Sequence, residues 1–305
     1  MACYHPLSAY QCADGGIVFS ERKGDVVRSL QLPCGQCVGC RLERSRQWAM
    51  RCVHEASLWP QNAFITLTYA DEHLPQDRSL RYPDFQKFMK RLRKRFKGVG
   101  SGPQGDYPIR FYMAGEYGEN FGRPHWHACL FNFDFQDKKI WLRTKSGSKI
   151  YRSAVLEELW PFGFSSIGEV NFASAAYVAR YIMKKVTGHR SDEHYRSVTD
   201  DGEILERVPE FNKMSLKPGI GAGWYEKFKT DVYPHDYVVI NGRKTKPPRY
   251  YDSKFRQEYP LEFEDIQFHR EMDARARFSD NTDERLAVKE QVVVAQVARL
   301  PRSLS

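Results

Sequence analysis

The repeat of apolar residues between positions 64 and 186 switches several times between the strand period of two and the helix period of 3.6, and the order of the switches leaves few folds open. Phe64-Ile65-Thr66-Leu67-Thr68-Tyr69 is β-branched and aromatic, which suits a pleated, half-buried strand. Phe85, Phe88, Met89, Leu92 and Phe96 then fall at helical spacing behind Pro83 and Asp84, so residues 84–96 read as a helix. Residues 109–116 and 124–133 read as two strands joined by a glycine-bounded turn at 118–122. A short helix over 154–160, a strand over 164–170 and a helix over 172–186 follow, with Asn171 as candidate cap and Gly188 near the stop.

Strand, helix, strand, strand, helix, strand is the ferredoxin-like βαββαβ order, an α+β fold with an antiparallel sheet and helices on one face. The core is expected over 61–190. Before it, residues 1–60 form a Cys-containing N-terminal arm, with a helix predicted over 41–56 from the stripe Leu42, Trp48, Ala49, Cys52, Val53 and Ala56. After it, residues 191–305 read as an irregular and helical C-terminal extension, polar to about 210 and ending in a helix with Val292, Val293 and Val297.

Charge narrows the partners. Across 305 residues, 47 Lys+Arg against 38 Asp+Glu give a formal net charge of +9, which favours polyanions because each neutralised phosphate releases condensed counterions. No run reaches the roughly 18 apolar residues of a membrane span, and Met1-Ala2-Cys3-Tyr4-His5 is not a basic-then-apolar leader, so the expectation is a cytosolic protein with no membrane partner. Seven cysteines in such a chain argue for thiols or a metal site over a disulfide framework.

Two constellations carry chemistry. In Pro124-His125-Trp126-His127 the histidines lie two apart on a predicted strand, so both face one side while Trp126 faces the other. Neutral imidazoles are common ligands of divalent metals. Glu116, near the end of the preceding hairpin strand, is the preferred third ligand, and Glu119 in the turn is the lesser choice. In the second, Tyr177 and Tyr181 stand one helical turn apart with Lys184 on the same face. A phenol needs a nearby cation to become a nucleophile, since its ordinary pKa is about 10. On residues alone, the histidines are equally two ordinary strand residues, and the tyrosines equally packed rings with surface hydroxyls.

Taken in order, Phe64-Ile65-Thr66-Leu67-Thr68-Tyr69, Pro124-His125-Trp126-His127 and Tyr177-x-x-x-Tyr181-x-x-Lys184 resemble the three motifs of HUH-endonuclease rolling-circle replication initiators, in particular those of the microviruses of gokushovirus type. The run from Pro33 through Cys34, Cys37 and Cys40 to Arg46, and Lys217-Pro218-Gly219-Ile220-Gly221, resemble the same branch. The resemblance implies a DNA nickase and ligase that cuts one strand at a replication origin, holds the 5′ end as a phosphotyrosine and later rejoins the product. It implies Mg²⁺ or Mn²⁺ on His125, His127 and Glu116, alternating attack by Tyr177 and Tyr181, and action in the cytoplasm of an infected bacterial host. Single-stranded DNA at the origin is the implied partner. The chain has no Gly-x4-Gly-Lys-Ser/Thr loop, so a host helicase and DNA polymerase are expected beside it.

Cys34, Cys37 and Cys40 show the Cys-x2-Cys spacing twice, and a closed structural zinc site needs a fourth donor. Cys3 is the first choice, with His5 or Cys12 behind it, and an iron–sulfur centre is the lesser option. Lys87, Lys90, Arg91 and Lys94 form a basic helix face suited to tracking DNA phosphates. The competing readings are a two-tyrosine HUH transposase, a non-catalytic zinc-containing DNA-binding protein and a hydrolytic metallonuclease.

Overall fold

The computed structural model describes residues 3–97, 108–118, 122–144, 147–184, 190–198 and 201–299, with the backbone alone for 181–184, 190, 192, 197 and 198. The loop expected over 98–105, Glu119, and the side chains of Tyr181 and Lys184 therefore lie outside the described residues. In chain order the elements are β1 (Leu7–Cys12), β2 (Ile17–Val18), β3 (Val26–Leu32), α1 (Val38–Ala56), β4 (Asn62–Tyr69), α2 (Tyr82–Arg95), β5 (Arg110–Tyr117) and β6 (Pro124–Phe131). Then come β7 (Lys139–Arg143), β8 (Lys149–Arg152), α3 (Ala154–Leu159), β9 (Gly163–Gly168), α4 (Phe172–Lys184), α5 (Arg190–Tyr195), β10 (Arg196–Val198), β11 (Ile204–Glu206) and β12 (Phe211–Met214). The last are α6 (Ala222–Val232), β13 (Val238–Ile240), β14 (Arg243–Thr245), α7 (Arg249–Glu258), α8 (Pro260–Ala276) and α9 (Asp283–Ala298).

Two compact units divide the chain, one within Met1–Arg44 and Arg256–Arg302, the other within Ser45–Phe255. In the first, β2, β1 and β3 make a small antiparallel sheet, and α8 and α9 supply the buried Phe263, Ile266 and Leu286. In the second, seven strands among the described residues form one antiparallel sheet in the order β12-β5-β6-β4-β9-β8-β7. Its centre, β5-β6-β4-β9, is the expected ferredoxin-like arrangement: the first and third strands of the βαββαβ unit lie side by side, with the second and fourth outside them.

Alternation along the strands sorts side chains into two cores. Ile65, Leu67, Trp126, Ala128 and Leu130 pack with Phe85, Phe88 and Leu92 of α2 and Leu156 of α3 on one face. Phe64, Tyr112, Cys129 and Phe131 pack on the other with Ala49 and Cys52 of α1 and Ala175, Val178 and Ala179 of α4. The two helices inside the βαββαβ unit thus share one face, while the helices that flank it in sequence cover the other.

Two local devices set the second face. Asn171 caps α4: its Oδ1 accepts from the Ser174 amide at 2.9 Å, and the Ser174 hydroxyl accepts from the Asn171 amide at 2.9 Å. The Lys217-Pro218-Gly219-Ile220-Gly221 segment is held by a buried ion pair, with Arg110 and Glu55 3.2 Å apart, the Glu55 carboxylate accepting from the Gly221 amide at 2.7 Å, and the Arg110 guanidinium donating to the Pro218 carbonyl. Gly221 sits at φ +80, and a Cβ there would meet the Tyr251 hydroxyl at 2.6 Å. The motif therefore has a packing reason of its own.

Candidate active site

Register places the candidate ligands. Glu116 of β5 is paired directly with His125 of β6, and Ala114 with His127, so the carboxylate and both imidazoles stand on the face that α1 and α4 cover. Glu116 and His127 are both buried, and Glu116 Oε1 lies 2.8 Å from His127 Nε2. Two ligands at about 2.1 Å from one octahedral ion are about 3.0 Å apart, so the observed spacing suits a shared divalent cation.

Thr66 and Thr68 fix which nitrogen is offered. On β4 they pair with His127 and His125, and their hydroxyls lie 3.0 Å and 2.8 Å from the respective Nδ1 atoms. An Nδ1–H donated to each hydroxyl leaves the Nε2 lone pair for a metal, the usual way an outer partner sets the tautomer of a liganding histidine. The His125 ring also lies over Gly118, where an added Cβ would be 2.7 Å from Nε2. Neither threonine nor this glycine stood out as a site residue in the sequence. The signal was present as alternation within Thr66-Leu67-Thr68, but only the β4–β6 register gives it meaning.

Tyr177, half-buried on α4, sets its ring edge-on to His127 with centroids 5.3 Å apart, and edge-on to Phe64 at 6.4 Å. The structure thus brings Glu116, His125, His127 and Tyr177 together. Tyr181 is four residues further along the same helix and Lys184 is its last residue. Lys87, Lys90 and Lys94 are exposed on α2, on the opposite face of the sheet. Arg91 is half-buried beside them and donates to the Leu159 carbonyl at 3.0 Å.

Comparison with known proteins agrees with this arrangement. A family model described as replication-associated protein ORF2 matches residues 62–186, the span that carries the sheet centre, the histidines and α4. Over 263 residues the chain is 36% identical to the replication-associated protein VP4 of Bdellovibrio phage phiMH2K, covering 85% of this chain and 79% of that protein. The chain belongs to the microvirus replication-associated proteins. A second member, replication-associated protein ORF2 of Spiroplasma virus 4, is 33% identical over 284 residues, covering 86% of this chain and 83% of that protein. No solved structure matches the chain. Among the described residues of this family member, no helix is long and apolar enough to cross a membrane.

A second cluster belongs to the first unit. The sulfurs of Cys3, Cys34, Cys37 and Cys40 all lie within 4.8 Å of one another, with Cys34–Cys40 and Cys3–Cys37 each at 4.0 Å. Sulfurs tetrahedrally placed about 2.3 Å from one zinc are about 3.8 Å apart, so this set can hold a metal such as zinc. Cys3 is the fourth member, while the ring of His5 is engaged by Glu290 at 2.7 Å and Cys12 is not among the grouped thiols. Burial pushes the Cys34 thiol up, but the amides of Cys37 and Gln36 aimed at its sulfur outweigh this and bring it down to about 7. Burial raises Cys3 and Cys40. Partly desolvated thiols this close can ionise together only beside a cation.

Proposed function

We propose that this protein initiates rolling-circle replication by nicking one DNA strand with a tyrosine and later rejoining it. The observation that carries the reading is the contact of the Tyr177 ring with His127, whose Nε2 is 2.8 Å from Glu116. Glu116, His125 and His127 would hold Mg²⁺ or Mn²⁺, which when bound supplies Lewis-acid polarisation of the scissile phosphate. The Tyr177 oxygen attacks phosphorus, the bond from phosphorus to the 3′ oxygen breaks, and the phenolic proton ends on the departing 3′ hydroxyl. The 5′ end stays on the protein as a phosphotyrosine, so a later 3′ hydroxyl reverses the step with no nucleotide triphosphate. Lys184 is the cation we assign to lowering the pKa of the phenols, and Tyr181 the second nucleophile, which accepts a new 5′ end while Tyr177 is still occupied.

Residues 61–190 carry this chemistry in the reading, between an N-terminal arm over 1–60 and an extension over 191–305. Zinc on Cys3, Cys34, Cys37 and Cys40 has a structural task. Lys87, Lys90 and Lys94 contact DNA away from the scissile phosphate, because α2 lies on the other face of the sheet, and Arg91 contributes least because its guanidinium is engaged. The partners are single-stranded DNA at an origin and a helicase and polymerase of the host, in whose cytoplasm the protein acts.

A denaturing gel tests the reading. Labelled single strands of the cognate genome, incubated with protein and Mn²⁺, should give a covalent protein–DNA species that EDTA abolishes and that Tyr177→Phe/Tyr181→Phe lacks. Free cleaved ends insensitive to those substitutions would indicate a hydrolytic metallonuclease. Tight binding with no cleavage would indicate a non-catalytic DNA-binding protein.

A further inference from the structure

The β7–β8 hairpin is inserted between the third and fourth strands of the ferredoxin-like unit, and it joins the sheet through the pairing of Tyr151 with Ile167. Its outer strand β7 is exposed along its whole length, with Ile140 at 54%, Trp141 at 57% and Leu142 at 37% exposure. An apolar edge strand in water invites self-association unless it is charged or covered. Here residues 138–152 hold six Lys or Arg and no Asp or Glu, which sets the sign of whatever covers it.

The backbone singles out one side chain. Ile140 pairs with Tyr151 and Leu142 with Ile150, and the register shift between them leaves Trp141 as the extra, bulged residue. A bulge of this kind re-aims its side chain away from the ordinary pleat. The Arg152 guanidinium lies 5.4 Å from the centre of the Trp141 ring, while Lys139 and Arg143 are exposed on either side of it along β7. An exposed indole flanked by cations is how proteins hold unpaired bases: the ring stacks on a base while the cations follow the phosphates.

We propose that the β7–β8 hairpin is a second DNA contact, in which Trp141 stacks on an unpaired base and Lys139 and Arg143 bind the neighbouring phosphates. The proposal rests on single-stranded DNA being the substrate of the site above. Between β6, which carries the histidines, and β8 lie β4 and β9, so at about 4.8 Å per strand spacing the hairpin begins about 14 Å across the sheet. A strand held at the scissile phosphate would cover that span within the roughly 4–16 nucleotides that single-strand sites commonly occupy. The hairpin's task in this picture is to keep the DNA beside the cleavage point seated and unpaired. The repulsion between its own cations, relieved when phosphates bind, also keeps one β7 edge from pairing with another.

The test measures binding separately from cleavage. Fluorescence anisotropy of a labelled oligothymidylate of about 20 nucleotides, without divalent metal, is recorded for the full chain, for Trp141→Ala, for Trp141→Phe and for Lys139→Glu/Arg143→Glu. We expect Trp141→Ala to weaken binding at least about fivefold and Trp141→Phe to restore most of the loss. The double charge reversal should weaken binding further and reduce the slope of log affinity against log salt by more than one. Binding by Trp141→Ala within twofold of the unaltered chain overturns the proposal, even if the charge reversal binds weakly. The covalent species on the genomic strand is scored in parallel. If the unaltered chain forms none, the nickase reading fails while the anisotropy series still decides the hairpin.

Discussion

Thr66 and Thr68 show how much of the site is decided by single atoms. Each hydroxyl meets an Nδ1, so each imidazole presents Nε2 inward. Loss of such outer partners commonly costs about 10–100-fold in metal affinity. Thr66→Val/Thr68→Val should therefore bind Mn²⁺ about 10–100-fold more weakly in calorimetric titration, with little change in melting temperature, and an unchanged affinity would remove the threonines from the site. His54 is a second case where one group has a measurable consequence. It is buried, its ring is stacked on Trp224 at 3.6 Å, its Nδ1 lies 2.9 Å from the Tyr251 hydroxyl, and burial lowers its pKa to about 3. The unfolded chain takes up a proton there below about pH 6.5 while the folded one stays neutral, so the stability is complete above that pH and falls as pH drops toward 3. At about 1.4 kcal/mol per unit, roughly 2 kcal/mol should disappear between pH 6.5 and pH 5. Urea titrations at the two pH values read this directly, and the drop should be smaller in His54→Gln by that amount.

At the scale of elements, α4 matters most because it carries Tyr177. Its cap was legible, since Asn171 precedes an apolar helical stripe and Asn is a favoured cap, and the structure adds the reciprocal bond from Ser174. Asn171→Ala should cost about 1 kcal/mol in denaturant unfolding and lower the yield of covalent species at a fixed Mn²⁺ concentration. A stability loss with an unchanged yield would mean that the first turn of α4 does not position Tyr177. The alternation of His125, Trp126 and His127 was equally legible, because strand period two needs no knowledge of the neighbours. The β7–β8 hairpin was not. With β7 exposed on both faces there is no apolar–polar alternation to read, and its bulge breaks what period remains. The edge strand β12 is only four residues long, and what makes it a strand is its pairing with β5, a partner nearly 100 residues away in sequence. The buried pair of Glu55 and Arg110 was hidden for the same reason, since its members come from α1 and β5. Removing one side chain leaves the other charge stranded, so Glu55→Ala should destabilise by about 3–5 kcal/mol. A cost below 1 kcal/mol in urea would show that water already reaches the pair.

Across the whole molecule, two kinds of metal chemistry fall in separate compact units. Cys3, Cys34, Cys37 and Cys40 lie within Met1–Arg44, and Glu116, His125, His127 and Tyr177 within Ser45–Phe255. The donor sets differ as the tasks do: four soft sulfurs suit zinc in a closed structural site, whereas carboxylate and imidazole with room for a phosphate suit a hard, exchangeable Mg²⁺ or Mn²⁺. The Cys-x2-Cys repeat marked three of the thiols in the sequence, but the fourth lies 31 residues before Cys34, and only folding of the arm brings Cys3 to the others. Folding a site that the unfolded chain lacks makes the binding energy of the metal part of the folding energy. The two metals should accordingly separate in experiment. The purified chain should carry about one zinc by elemental analysis, retained through brief EDTA treatment that abolishes covalent capture of DNA. Cys34→Ser/Cys37→Ser should lose that zinc and melt at a lower temperature, yet still form the Mn²⁺-dependent covalent species below its own melting transition, because none of the groups that act on the phosphate is a thiol. Loss of the covalent species in this variant while the fold persists would make the thiolate site part of catalysis, and zinc-free protein of unchanged stability would leave the cluster as four reduced thiols.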